Sequence, residues 1–187
     1  KEKNSILQKG VQGKLVPQDP NDEPASDMHE KIRKEKEKLI KEGKIKKEKN
    51  PSVIFRGADN LSYEKVGKNE PVCIADEVPF DIPDSWEWVR ISEVFQIEMG
   101  QSPKGDSVGD YKTGMEFHQG KVFFGNKYIN TSNQRTISPT KIAEPNSILL
   151  CVRAPVGKVN ITDRLLCIGR GLCALKPLGN IDIDYAF

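Results

Sequence analysis

The sequence has no run of about 18 apolar residues, so nothing in it reads as a membrane-spanning helix. Its opening residues, Lys1 to Asn4, lead into no apolar segment of the kind a secretory signal peptide needs. Histidine is nearly missing, with His29 and His118 the only two. The four cysteines, Cys73, Cys151, Cys167 and Cys173, contain no Cys-x-x-Cys pair. These shortages exclude most structural zinc sites and argue against a disulfide framework. Three of the cysteines lie in apolar runs, Leu149-Leu150-Cys151-Val152, Leu165-Leu166-Cys167-Ile168 and Leu172-Cys173-Ala174, and read as buried free thiols. Apolar residues are sparse at 36% while charged residues reach 30%, so part of the 187-residue chain is expected to be a solvated arm. The length allows one domain with extensions or two small domains. The expected location is the cytoplasm, and a first residue that is Lys rather than Met suggests processing or a fragment.

Catalytic signatures are missing as well. There is no Gly-x-x-x-x-Gly-Lys-Ser/Thr loop and no Gly-x-Gly-x-x-Gly after a strand. The Asn/Asp-Pro-Pro-Tyr/Phe pattern of amino-methyltransferases and the Asp…Glu-x-Lys pattern of many nucleases are both absent. Cys151 and His118 offer one nucleophile–base pair on paper. Cys151 sits mid-strand among Leu and Val, however, where a thiolate would be poorly solvated. No catalytic residue and no metal ligand is therefore expected.

The net charge of +2 conceals a partition. Residues 1–50 carry a net +4, residues 51–98 a net −6, residues 99–176 a net +6 and the last eleven residues a net −2. The second basic block coincides with a turn-rich stretch, the charge footprint of a surface that meets phosphate. An ordinary solvated face can carry the same charge.

Ile6, Leu7, Val11 and Leu15 have helical spacing over residues 1–16, with Gly13 and Pro17 as stops. After a Pro/Asp/Asn linker, Asp27 and Glu30 offer the two halves of a capping box. The helix that follows, about 27–43, carries a thin stripe of Met28, Ile32, Leu39 and Ile40 and stops at Gly43. Residues 51–78 read as an acidic connector with strand-like pieces at Val53–Phe55 and Pro71–Ile74. The compact domain, residues 79–187, is expected to start near Pro79. Trp86 and Trp88 alternate with charges as in a half-buried strand, and Ser92-Glu93 opens a short helix that carries Val94, Phe95 and Ile97. Further strands are predicted at Lys121–Phe124, Ser147–Val152, Lys158–Ile161, Leu165–Ile168 and Leu172–Leu175. The apolar runs at Ile148–Val152 and Leu165–Ile168 should be central. The fold class is α+β, with a β-rich, short-stranded, partly closed sheet preceded by helical spacer and linker segments.

The loops of this block are rich in groups that read DNA. Gln101, Ser102 and Lys104 cluster around Pro103, and Asn126, Lys127, Tyr128, Asn130, Ser132, Asn133, Gln134 and Arg135 fall within ten residues. Asn and Gln pair bidentately with adenine, Arg and Lys with guanine, and hydroxyls and Lys with phosphate. Lys121, Arg153, Lys158 and Arg170 lie beside the apolar runs and complete the candidate set. Composition alone divides evenly between this reading and a polar surface loop.

Several segments, taken in order, resemble one family. Ser5-Ile6-Leu7-Gln8 with Gln12 to Gln18 is similar to the end of a central helix in type I restriction–modification specificity subunits. Glu30 to Arg33 with Glu35 to Ile45, and Pro79 to Arg90, resemble the approach to a target recognition domain. Gly100-Gln101-Ser102-Pro103, Ile148 to Gly157 and Cys167 to Leu172 resemble its early loop, its central strand-turn and its continuation. The resemblance implies a non-catalytic subunit that reads half of a split site in double-stranded DNA. It implies docking to modification and restriction subunits, with S-adenosylmethionine on the former and ATP and Mg on the latter. The cofactors of this chain itself are then none. Ile6, Leu7, Val11 and Leu15 would contact a partner helix or a modification subunit, and residues 79–187 would be the second recognition domain. The family's Pro-Leu-Pro-Pro-Leu-type segment and distal helix are not found before Phe187, so the chain is expected to be a fragment.

Overall fold

In the computed structural model, which describes residues 2–187 with side chains from Ser5 onward, the chain divides into two units, one ending at Val94 and one spanning Phe95–Phe187. The first holds α1 (Glu2–Val11), α2 (Ala25–Lys41), an antiparallel sheet of β1 (Ser52–Arg56), β2 (Ser62–Val66) and β3 (Val72–Cys73), and α3 (Ile91–Val94). Among the described residues no helix is long and apolar enough to cross a membrane.

Helix α2 begins two residues before the predicted cap. Pro24 is the N-cap, in extended conformation and without a side-chain cap bond, and Asp27 instead lies in the first turn, where its charge complements the helix dipole. The predicted stop holds: Gly43 takes φ +70°, its N–H donates to Ile40 O and Lys44 N–H donates to Leu39 O, closing a Schellman turn. Of the thin apolar stripe only Ile32 is fully buried. Beside it the half-sequestered Lys36 donates to Ser92 O at 2.7 Å and pairs with Glu48 at 3.0 Å, which fastens α2 to the turn carrying α3.

Two sequence expectations fail at the end of this unit. The Trp86–Trp88 segment is not a strand. Trp86 Nε1 donates to Gln18 Oε1 at 3.0 Å and Trp88 packs on Phe80 at 5.2 Å, so the alternation reflects two separate anchors rather than a pleat. The short helix stops at Val94, and Phe95 and Ile97 belong to β4 (Phe95–Met99). Phe-Gln-Ile-Glu-Met alternates with period two and finds a partner strand, which outweighs the helix-start signal of Ser92-Glu93.

The second unit continues with β5 (Val108–Gly109), β6 (Met115–His118), β7 (Arg135–Thr136), β8 (Ile142–Ala143), β9 (Ser147–Cys151), β10 (Val159–Thr162), β11 (Leu166–Ile168), β12 (Leu172–Pro177) and α4 (Ile183–Ala186). They form a four-stranded antiparallel sheet, β10-β9-β12-β4, and a five-stranded sheet, β5-β7-β6-β11-β8, in which β6 and β11 run parallel. The architecture is α+β with several small sheets and no closed barrel among the described residues. The runs predicted to be central are central: β9 lies between β10 and β12, and β11 between β6 and β8. Lys121–Phe123 is a 3-10 turn, not the expected strand. The core gathers Ala143, Leu149, Cys151, Leu166, Ile168, Leu172 and Ala174 from both sheets and Ile129 from the segment between β6 and β7, with Phe123 and Phe124 against it. Cys151, Cys167 and Cys173 are buried free thiols, and Cys73 is exposed.

Candidate nucleic-acid interface

Strand register decides which loops meet. Cys151 opposes Leu172, Leu150 opposes Val159 and Cys173 opposes Met99, so the ends of β4 and β9 and the starts of β10 and β12 lie together. In the other sheet Cys167 and Ile168 of β11 run alongside Phe117 and His118 of β6, which brings Gln119 to Gly169. Four connections therefore share one end of the unit: the segment after β4, the segment after β6, the β9–β10 turn and the β11–β12 turn. They carry Gln101, Ser102, Lys104, Lys121, Arg153, Lys158 and Arg170 of the predicted set.

Backbone hydrogen bonds lock these connections to one another. Gln101 N–H donates to Ile168 O at 3.0 Å, Gly169 N–H to His118 O at 2.8 Å, Gly171 N–H to Gln119 O at 3.1 Å and Val152 N–H to Gly171 O at 3.0 Å. The Ser102 hydroxyl donates to Gln119 Oε1 at 2.7 Å and accepts the Arg170 N–H at 3.3 Å. A Cβ on Gly169 or Gly171 would strike Gln119, which is why the Gly-Arg-Gly triplet presents Arg170 between two residues without side chains. Lys104, Arg153, Lys158 and Arg170 are exposed around this knot, and Lys121 is half-buried. Gln119, exposed and central to it, was not in the predicted set. Its place beside Gly120 in a short polar gap between apolar runs was the available signal.

The Asn126–Arg135 segment splits. Phe124 and Ile129 pair across a tight turn, and Asn126, Tyr128, Asn130 and Asn133 are exposed while Gln134 is half-buried. Ser132 is 4% exposed and does not belong to the reading surface: its hydroxyl accepts the Gln134 N–H at 3.0 Å, a turn-forming role. Two of the predicted cations are engaged within the chain. Lys127 pairs with Asp184 at 2.7 Å, which raises its pKa, and Arg135 donates to Gly114 O at 2.7 Å.

Beneath this segment lies a charged cluster that sequence reasoning missed. The buried Glu116 carboxylate accepts two hydrogen bonds from Arg164, both at 2.8 Å, one from Ser132 N–H at 2.9 Å, and one from His118 Nε2 at 2.7 Å. Burial pushes Glu116 upward, but Arg164, Ser132 and His118 outweigh it and hold the carboxyl at about 2. Burial lowers the His118 pKa, against the Glu116 carboxylate, which works to raise it. Because a carboxylate only accepts, His118 Nε2–H is directed at Glu116, and Nδ1 has no hydrogen-bond partner among the described residues. Cys151, the other half of the pair considered above, donates its thiol to Arg153 O at 3.1 Å. Asn160, fully buried, accepts from Gly125 N–H at 3.0 Å and donates to Gly125 O at 3.1 Å. The signal for Glu116 was its isolation, as one of few acids in a basic block and set in a period-two run, Met-Glu-Phe-His.

The second unit is thus a β-rich module of small sheets whose interlocked loops gather exposed cations at one end. The chain belongs to the type I restriction modification DNA specificity domain family, whose model matches residues 83–187. It is 40% identical over 104 residues to the EcoAI type I restriction enzyme specificity subunit of Escherichia coli, a stretch covering 56% of this chain and 14% of that protein. The crystal structure of the HsdS subunit from Thermoanaerobacter tengcongensis matches 58% of this chain and 28% of that one, with 39% identity and a TM-score of 0.53. A chain from a structural study of type I restriction–modification complex assembly matches 99% of this chain and 38% of that one, at 26% identity and a TM-score of 0.54. The chain spans between 14% and 23% of the length of the curated relatives it matches.

Proposed function

We propose that this chain reads half of a split site in double-stranded DNA as part of a type I specificity subunit. The convergence of four loops bearing Lys104, Lys121, Arg153, Lys158 and Arg170 at one end of the second unit carries the reading. These cations neutralise phosphates and set register. Gln101, Ser102 and Gln119, with the exposed Asn126, Tyr128, Asn130 and Asn133, meet base edges. The chain performs no chemistry itself. S-adenosylmethionine would sit on modification subunits and ATP with Mg on restriction subunits, which this chain directs to the site. Binding to random duplexes across a salt series, with sequencing of the bound fraction, tests this. A steep salt slope with an enriched half-site of a few base pairs is expected, and binding without enrichment refutes sequence reading.

A second role is supported by α1. Ile6, Leu7 and Val11, with Leu15 just beyond the helix, are all about half exposed or more, an apolar stripe suited to a partner helix or a modification subunit. The two roles belong to different units and are compatible. Substituting Leu7 and Val11 by Glu should abolish assembly with the modification subunit and leave DNA enrichment unchanged.

A further inference from the structure

The segment from Gly125 to Arg135 combines exposed polar side chains with a root made of buried polar groups. Asn160 holds Gly125 through both its amide oxygen and its amide nitrogen. Lys127 O accepts from Ile161 N–H at 2.8 Å, and Ile129 N–H donates to Ile161 O at 2.9 Å. Arg164 reaches Ile129 O at 3.3 Å, and Glu116 takes the Ser132 N–H at 2.9 Å. One buried carboxylate gathers a guanidinium, an imidazole and a backbone amide, although an apolar pair of similar volume would stabilise a core as well or better. What an ionic cluster adds is direction, because a carboxylate with four donors fixes the loop backbone in one placement.

We propose that Glu116 is a specificity-determining positioning residue. Held by Arg164 and His118, it fixes the Ser132 backbone, so that the side chains flanking it at Asn130, Thr131 and Asn133 address DNA from a set geometry, without Glu116 touching DNA. This rests on the DNA-reading function proposed above. A base-reading group must be held to within fractions of an ångström to discriminate, whereas phosphate contacts tolerate looser placement. The two kinds of contact should therefore respond differently when the cluster is altered.

The test compares the whole chain with its Glu116→Gln variant in selection from random duplexes, alongside the salt slope for an unselected duplex. Gln keeps the size of Glu but loses its charge and turns an amide towards Arg164 or Ser132. Half-site enrichment should fall by about tenfold or more, while affinity for the unselected duplex and its salt slope stay within about twofold. A folded variant with wild-type enrichment overturns the positioning role alone. A wild-type chain with no enrichment overturns the DNA-reading function and the proposal with it. Hydrogen exchange on the unaltered chain gives a reading that does not depend on the variant folding. The Ser132 amide should be protected to the level of the β9 and β12 amides, and exchange at the rate of an open loop would overturn the proposal.

Discussion

Glu116 and His118 are two residues apart on one strand, and both have pKa values below their ordinary ones, for opposing reasons. Glu116 is depressed because its donors outweigh burial, and His118 because burial outweighs its partner. A depressed folded-state pKa means that the unfolded chain binds more protons as pH falls, so stability present at neutral pH is lost towards acid. The His118 contribution is complete above its ordinary value of 6.5 and declines below it, and the Glu116 contribution declines from 4.5 towards about 2. The second unit should therefore lose stability towards acid in two limbs, one beginning below pH 6.5 and one below 4.5. Hydrogen exchange of the β9 and β12 amides against pH measures this. His118→Gln should flatten the limb that begins below pH 6.5 while leaving the limb below 4.5. An unchanged upper limb would assign it to another group, and the only other histidine, His29, lies in the first unit.

At the scale of elements, the knot of four connections depends on backbone approach rather than on side chains. A Cβ on Gly171 would meet the Gln119 carbonyl and the Gly120 Cα, neither of which can swing aside as a flexible side chain would. Gly171→Ala should cost about 1–3 kcal/mol in urea unfolding of the second unit, the range for overpacking, and should weaken half-site enrichment. Gly105→Ala is the control, since a Cβ there meets nothing within 4 Å. Equal losses from the two substitutions would show that close approach is not what the glycine serves. The same scale explains what the sequence could and could not show. Strands β9, β11 and β12 were legible because continuous apolar runs bounded by turn residues have one physical solution, burial on both sides. Strands β5, β7 and β8 are two residues each and exist only through distant partners, so no local pattern announces them. Strand β4 was mistaken for helix because Ser92-Glu93 is a valid helix start that ends after one turn. Of the candidate site, the cations and amides were visible as residue types in turn-rich segments. The groups that hold the Gly125–Arg135 segment were not, because Glu116 and Arg164, like Asn160 and Gly125, are far apart in sequence and meet only through the fold.

For the molecule as a whole, charge is segregated along the chain, with a net −6 in residues 51–98 and a net +6 in residues 99–176. Only part of the basic block can act on phosphate. Lys127 is already paired with Asp184, Lys141 with Glu98 at 2.6 Å and Arg164 with Glu116. Lys104, Arg153, Lys158 and Arg170 are exposed around the interlocked loops, where no ion pair is among those found in the described residues. Neutralising one phosphate-bound cation should lower the magnitude of the salt slope by about 0.9, the value for a single contact on duplex DNA. Lys104→Gln, Arg153→Gln, Lys158→Gln and Arg170→Gln should each do so, and affinity should fall alike for selected and unselected duplexes. Lys127→Gln should leave the slope nearly unchanged, because the charge it removes is already balanced within the chain. Fluorescence anisotropy at several salt concentrations measures all five slopes. If Lys127→Gln lowers the slope as much as Arg170→Gln, the phosphate surface extends to the turn between Phe124 and Ile129 and the Lys127–Asp184 pair opens on binding. If none of the five lowers it, the interlocked loop end is not where this chain meets DNA.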